Sequence, residues 1–589
     1  YLSAMGYTLN RDGWRFEPLN DVPFPLSCRG QVTPRCRQLT YELFVQELHD
    51  GPVPTLFADL LCTVDGLKAF HAGRLALQLR PAWPLDEGSA VLANHSEDKP
   101  VAKAGDFAFD FRSLVACANG RPSEAFGPIY DRFDGPGRVA RLPNPPYHFL
   151  SRVTSTSAEI GAMAEGTEVV VEYDIPADAW YFDENGCRTI PFAVLLEAAL
   201  QPCGWLASFL GCALTTDTEL CFRNLDGTGT VHVDLLPDAG TLVTRVKNTG
   251  ISSVASMIVV SFEVKCSVGE VGVYDLVTVF GFFPQSALEN QVGLPTTDEQ
   301  RALLEAAAEN VVDLTKPSPP QWNRQRPSLA EPMLLMLDRI ERFDPDGGPA
   351  GLGSARAVKD VDPGEWFFKA HFFQDPVQPG SLGIEAMIQL LQWLMLEKGL
   401  DEGIDKPRFE AIALGQEMTW KYRGQVIPEN ERISTTLELT EIRREAGGVL
   451  ALADASLWVD GKRIYEASGL GMRIVSGAPQ APARTLDPAR DTWLGDHRPT
   501  WTLPALPMMS MVDLLAQGAA ASDPVTALYD VRVKGWLTFD GPRNLRTDRQ
   551  GEHMRLVAVD TDGNETTVAT ARVCTGAYGR PPAPLPALS

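Results

Sequence analysis

Three acidic side chains in this sequence share one spacing. Pro191, Pro379 and Pro507 each precede an acid by six residues, and a glutamine follows that acid by four: Glu197 with Gln201, Glu385 with Gln389, Asp513 with Gln517. A carboxyl and an amide four apart lie on one face of a helix. Each predicted helix is apolar nearly all round, as in Leu382 to Leu396, the pattern of a helix buried on every side. A carboxylate in such a place is costly unless its pKa rises or a partner meets it. A carboxyl held protonated near neutral pH is what a general acid requires. The proline marks the helix start, where the N–H groups around Gly380 carry the positive end of the helix dipole and can polarise a carbonyl.

A base is the complementary requirement. Of eight histidines, two stand upstream of a helix start at matching places, His371 and His497. The corresponding stretch before Glu197, Trp180 to Gly186, has none. Glu197 therefore reads either as a buried acid paired with a backbone amide or as half of a site. His148, in Pro-Pro-Tyr-His-Phe-Leu, and His71, in Phe-His-Ala-Gly, read as packed residues with no chemistry.

The elements that must hold these groups repeat along the chain. Arg15-Phe-Glu17 recurs as Arg408-Phe-Glu410, Arg29-Gly-Gln-Val32 as Arg423-Gly-Gln-Val426, and Val64-Asp-Gly66 as Val459-Asp-Gly461. The offsets are 393, 394 and 395, a slow drift that marks a duplicated unit. Period-2 runs such as Ser434 to Thr440 and Leu450 to Trp458 predict antiparallel strands, with Asp65-Gly66 and Asp460-Gly461 as hairpin turns. Extending the offset backwards sets Tyr1 opposite Leu394, in mid-helix, so the first unit is expected to lack its helical half here. Arg29 and Arg423 read as strand caps or as contacts to a phosphate or an acidic partner.

Composition sets the outer limits. The chain has 589 residues, 44% hydrophobic and 22% charged, ordinary for a soluble multidomain protein. Its formal charge of −24 argues against nucleic acid or anionic membrane as the main partner. Ten cysteines without a CxxC pair build no zinc cage, so no metal site is expected and reduced thiols in the cytoplasm are the default. Ala193 to Leu214 is apolar enough to suggest a membrane span, yet it contains Glu197, Gln201 and Pro202, so a buried soluble helix is the expectation.

The stretch His371-Phe-Phe-Gln-Asp-Pro376-Val-Gln-Pro-Gly380-Ser-Leu-Gly closely resembles the active-site motif of the β-hydroxydecanoyl-acyl-carrier-protein dehydratase/isomerase family. The order of segments is similar to the tandem dehydratase region of polyunsaturated fatty acid synthases. His497 to Pro507 resembles a looser polyketide-dehydratase motif, His-x3-Gly-x4-Pro, with Trp501 in place of its glycine and Pro507 one residue late.

The resemblance implies an α+β chain of hot-dog folds, antiparallel sheets each wrapped around a central helix, paired as two double hot dogs. Residues 1–90 would be the C-terminal part of a first hot dog and 141–289 a second, pseudo-dehydratase half. Residues 326–476 would be a third and 491–589 a fourth, with linkers at 91–140, 290–325 and 477–490. Within a pair, each site takes its histidine from one unit and its acid from the other. Carried over to the third and fourth units, this makes His371 the base, Asp513 the acid, Gln517 its orienting partner and the Gly380 amide the thioester donor. Glu385 and His497 would form a mirror-related second site, supported by Gln389. The first pair would hold Glu197 without a histidine. The implied reaction is dehydration of 3-hydroxyacyl chains on acyl carrier protein to trans-2-enoyl chains, with double-bond isomerisation as a possible extension. It needs no cofactor and has other domains of a larger synthase as partners. A hot-dog thioesterase and a non-catalytic carrier-docking scaffold are the alternatives.

Overall fold

The computed structural model describes the chain apart from residues 9–13, 20–21, 34–35, 52, 82–98, 136, 188, 238, 255–256, 317–325, 446, 478–483, 489–490, 499–502, 520–524, 551–552, 560–564 and 576–589. Three central helices organise it: α1 (Phe192–Phe209), α2 (Gly380–Glu397) and α3 (Met508–Ala519). The first two follow Pro191 and Pro379, whose fixed φ suits a helix entry, and nearly every residue in them is buried. The membrane-like apolar stretch is thus α1, the core of a folded unit.

The first unit is a five-stranded antiparallel sheet of β1 (Trp14–Pro18), β2 (Leu26–Cys28), β3 (Leu39–His49), β4 (Thr55–Val64) and β5 (Leu67–Pro81). After a short hairpin, β6 (Lys103–Ala104) and β7 (Phe107–Ala108), the second unit wraps α1 with six strands. They are β8 (Arg152–Thr156), β9 (Glu168–Asp174), β10 (Leu220–Val231), β11 (Thr241–Val254), β12 (Met257–Val268) and β13 (Val271–Pro284). The third unit wraps α2 with β14 (Val312–Asp313), β15 (Arg339–Asp344), β16 (Ser354–Asp360), β17 (Pro407–Phe409), β18 (Glu417–Tyr422), β19 (Arg432–Glu445), β20 (Gly448–Val459) and β21 (Lys462–Ser476). The fourth packs α3 on β22 (Arg484–Leu486), β23 (Val525–Val533), β24 (Arg543–Gln550), β25 (His553–Val559) and β26 (Glu565–Thr575). Each helix-bearing unit is a hot dog.

The internal repeat is exact to the ladder. Arg15 pairs with Arg80 as Arg408 pairs with Val475, and Ser27 with His71 as Lys421 with Glu466. Even the β-bulges recur, between Val45 and Glu47 and between Leu439 and Glu441. What differs is the cover. Ile433, Thr435, Leu437 and Leu439 are buried under α2, whereas their counterparts Leu39, Tyr41, Leu43 and Val45 are exposed. No helix lies among the described residues of the first unit.

The pairing differs from expectation. The second and third units, not the third and fourth, form the double hot dog: one continuous sheet runs through both, joined where β10 lies antiparallel to β18. They share a single hydrophobic core from Ala102 to Ile474, while the fourth unit closes its own around Leu506, Met511 and Leu515. The reason lies at the seam. Gly227 stands opposite Trp420, and its missing side chain leaves the indole a place across the joint, where it donates to Asn224 Oδ1 at 2.8 Å. Thr228 and Thr419 hydroxyls meet at 2.9 Å, and Arg423 binds Asp226 and the Leu225 carbonyl. Arg423 is therefore a seam residue.

Two expected linkers are largely structured. Within 91–140, the helix Phe111–Asn119 is capped by Asp110, and Phe109, Leu114 and Phe126 enter the shared core. Within 290–325, the helix Asp298–Glu305 carries a Thr297/Gln300 capping box, and Arg356 ties down its C-terminal carbonyls. In 477–490, residues 484–486 form β22, and the rest is mostly outside the described residues.

A methyl group at Gly227 would lie 2.0 Å from the Trp420 ring, whereas one at Gly250 would meet nothing. Gly227→Ala is expected to cost about 1–3 kcal/mol of stability through overpacking, and Gly250→Ala less than about 0.5 kcal/mol. Thermal or denaturant unfolding of the two variants checks this.

Candidate active site

His371 follows the short helix Trp366–Ala370 and begins the loop that leads into α2. The ring is buried, and its Nδ1 lies 3.2 Å from the Val377 carbonyl. A carbonyl can only accept, so Nδ1 carries the proton and Nε2 keeps its lone pair. Backbone bonds from Val377 N to His371 O and from Gln378 N to Val426 O hold the loop shape. Burial, and then the Arg223 charge, push the imidazole pKa down to about 3. His371 is thus a neutral base throughout the neutral range.

The acid that shares its cavity is Glu197, from α1 of the second unit. Ser381, in the first turn of α2, donates its hydroxyl to Glu197 Oε1 at 2.7 Å. Gln201 donates to Oε2 at 3.2 Å and is itself fixed by Tyr147 O and Phe149 N. The Tyr147 hydroxyl lies 2.9 Å from Ser381 Oγ. Burial lifts the Glu197 carboxyl to about pKa 7, so it holds a proton into the neutral range. The expected spacing of acid and glutamine is therefore real, with the amide orienting the acid.

His371, Glu197, Gln201 and Ser381 line one cavity of about 810 Å³, counting its part open to solvent. Gly380 is in its wall. A side chain there would strike the Tyr422 ring at 2.6 Å, so only glycine admits the first turn of α2 so close to the cavity. Leu382 N and Gly383 N bond to the Pro379 carbonyl, and the Gly380 and Ser381 N–H groups stand ahead of that first bond, at the positive end of the helix.

Asp513 is not the acid facing His371. It lies on α3 in the fourth unit, exposed with Gln517, whose amide donates to it at 3.0 Å, and neither lines the His371 cavity. Nor does Glu385 pair with His497. Glu385 is buried in the double hot dog, taking bonds from Gln389 at 3.1 Å and from Ala193 N, at the start of α1, at 3.4 Å. His497 belongs to the fourth unit, half-buried, with Nδ1 2.7 Å from the Ala505 carbonyl. Trp501 is outside the described residues. Pro376 sits inside the His371 loop, beside Asp375. His148 is a packed residue, its Nδ1 2.9 Å from Pro143 O.

Glu385 has the place in α2 that Glu197 has in α1, and ahead of α1 the position of His371 is held by Asn185. Its Nδ2 donates at 2.9 Å to the carbonyl of Thr189, two residues before Pro191. His371 and Val377, two before Pro379, make the same bond, as do His497 and Ala505, two before Pro507. Asn185 keeps the local bond and lacks the lone pair of an imidazole base. The signal was present in sequence: Asn185 follows Trp180 by five residues, as His371 follows Trp366. Arg223, unnoticed in sequence, also lines the cavity of His371 and Glu197 and pairs with Asp375 at 2.7 and 2.8 Å.

Comparison with known families reaches part of this region, the stretch with His371 and Gly380 but not Glu197. Residues 329–468 match the FabA-like domain family. Over 393 residues the chain is 32% identical to a polyunsaturated fatty acid synthase polypeptide of Thraustochytrium sp.; the match covers 62% of this chain and 26% of that relative, so the chain spans about a quarter of its length. Among solved structures, the dehydratase domain from the CurJ module of the curacin polyketide synthase is 13% identical at a TM-score of 0.33, covering 56% of this chain and 96% of that domain. The oleoyl thioesterase (putative) of Lactobacillus plantarum is 8% identical at 0.31, covering 54% and 98%. Likeness this loose aligns no side chains.

The two buried acids make stability depend on pH. Both carboxyls are raised to about 7 from an ordinary 4.5, so between those values the folded chain keeps protons that the unfolded chain has lost. The stability these two groups contribute is full below pH 4.5 and is lost as pH rises through 7. Glu197→Gln and Glu385→Gln, which imitate the neutral acid, are each expected to raise stability at pH 8 by up to about 3 kcal/mol and to leave it unchanged at pH 4. Unfolding curves at the two pH values check this.

Proposed function

We propose that this chain, which contains a FabA-like domain at 329–468, dehydrates 3-hydroxyacyl thioesters to trans-2-enoyl thioesters in fatty acid synthesis, with the substrate held on the phosphopantetheine of acyl carrier protein. The observation that carries this reading is that a neutral histidine, His371, and a protonated carboxyl, Glu197, come from two units to one cavity beside the start of α2.

In this scheme His371 Nε2 removes a proton from C2 of the substrate. The carbon–oxygen bond at C3 breaks, and Glu197 delivers its proton to the departing hydroxyl, which leaves as water. The C2–C3 double bond forms from the freed electron pair. Negative charge that gathers on the thioester oxygen meets the Gly380 and Ser381 N–H groups and the dipole of α2. Gln201 and the Ser381 hydroxyl hold Glu197 in place throughout. Base, acid and oxyanion donors suffice for proton removal next to a thioester, so the scheme uses no cofactor. The wider setting, a cytoplasmic synthase with further domains, belongs to this same reading. Isomerisation to a 3-enoyl product rests on the resemblance of the His371 motif, and product analysis decides it.

The test is turnover of a 3-hydroxyacyl thioester panel. His371→Ala and Glu197→Gln are each expected to lower kcat by about 10²–10⁴-fold, whereas Asp513→Asn and His497→Ala stay within a few-fold of wild type. With wild type, kcat/KM is expected to hold steady from pH 5 to 6.5 and to fall above about 7, as Glu197 loses its proton. Free thiol release in place of enoyl product would establish a thioesterase. Loss of activity in Asp513→Asn but not Glu197→Gln would overturn the assignment.

A further inference from the structure

The loop that carries the base belongs to the third unit, yet much of its support comes from the second. Arg223 reaches over from β10 and grips Asp375, four residues beyond His371, with both terminal nitrogens at 2.7 and 2.8 Å. Its Nε donates to Gln425 Oε1 at 3.0 Å and Nη1 also to Phe222 O at 2.9 Å. Every guanidinium nitrogen is engaged, and the pair is largely buried, with side chains 11% and 15% exposed. The Arg223 guanidinium stands 6.0 Å from the Phe372 ring centroid, next to the imidazole. Asn144 N donates to Ala370 O, and Arg141 lies over the Phe373 ring, so the second unit touches this loop at further places.

We propose, building on the dehydratase reading, that Arg223 is a positioning residue for catalysis: its fork fixes the His371 loop through Asp375, and its charge faces the same cavity as the imidazole. A forked, charge-assisted pair sets both distance and plane, which a lysine cannot do. Buried ion pairs contribute little net stability on average, so such a pair beside a base calls for a reason other than stability. The electrostatic direction agrees. After burial, Arg223 is the largest influence lowering the His371 pKa, and Asp375 acts against it. The other charged or titratable groups facing the same cavity are Glu197 of α1, Tyr422 of β18, Tyr465 of β21 and Arg141. Asp375 also faces Arg138 and Cys221.

The test uses the full chain with ¹³C-labelled histidine, the His371 signal being assigned with His371→Asn, alongside kcat and KM profiles from pH 4 to 8. In wild type the His371 signal is expected to stay that of a neutral ring across this range. Arg223→Met removes the nearer positive charge and leaves Asp375 facing Arg138 alone, so His371 should titrate within the range and the acid limb of kcat/KM should move to higher pH. Arg223→Lys keeps the charge and loses the fork. Its His371 should stay neutral while kcat falls about ten- to a hundred-fold at nearly constant KM. If His371 in Arg223→Met titrates as in wild type and the pH profile is unmoved, Arg223 is only a structural strap and the proposal fails. The titration needs no turnover. A shifted His371 signal in a protein that dehydrates nothing would overturn the reaction and leave the Arg223–His371 coupling standing.

Discussion

One hydroxyl donating across two units, Ser381 of α2 to Glu197 of α1 at 2.7 Å, is the contact on which the proposed chemistry depends. It exists only because two central helices lie side by side within one sheet, so that the start of each reaches the acid of the other. Ala193 N and Glu385 repeat the contact in mirror image. Burial then does to both carboxyls what an acid catalyst needs, raising them to about 7. Their bonds to Ser381, Ala193, Gln201 and Gln389 work in the other direction and keep that rise moderate.

The fold was readable from residue spacing to an unusual depth. The triple proline–acid–glutamine spacing marks α1, α2 and α3, and the duplicated Arg-Gly-Gln-Val and Asp-Gly landmarks predict ladders that match bulge for bulge. His371 and Gly380 lie where their motif places them, lining one cavity. The partner was not readable. Which units pair is decided at an edge-to-edge seam, where Gly227 makes room for Trp420 and Thr228 meets Thr419. These are ordinary residues in two strands nearly two hundred positions apart, and no local pattern announces their contact. With the seam unseen, Asp513 stood in for Glu197, and segments that pack as helices, Phe111–Asn119 and Asp298–Glu305, passed as linkers.

Duplication left three copies of one loop, and their differences are chemical. All three hold a side-chain nitrogen to the carbonyl two residues before the helix-starting proline. In the third unit that side chain is a buried imidazole whose second nitrogen keeps its lone pair. In the second it is Asn185, which satisfies the same carbonyl and can take no proton. The pair therefore holds two buried carboxyls and one such imidazole, and the imidazole shares its cavity with Glu197. The second unit also supplies Arg223, which grips the His371 loop at Asp375.

The central claim is that the second and third units alone make the site. Residues 99–477 contain their shared core, His371, Glu197, Arg223 and both helix starts. Dehydration of a 3-hydroxyacyl thioester by that fragment, shown to be folded by a cooperative melt, is the most direct measurement. The account predicts kcat/KM equal to that of the full chain. A folded fragment that stays inactive until residues 484–575 are restored would contradict it.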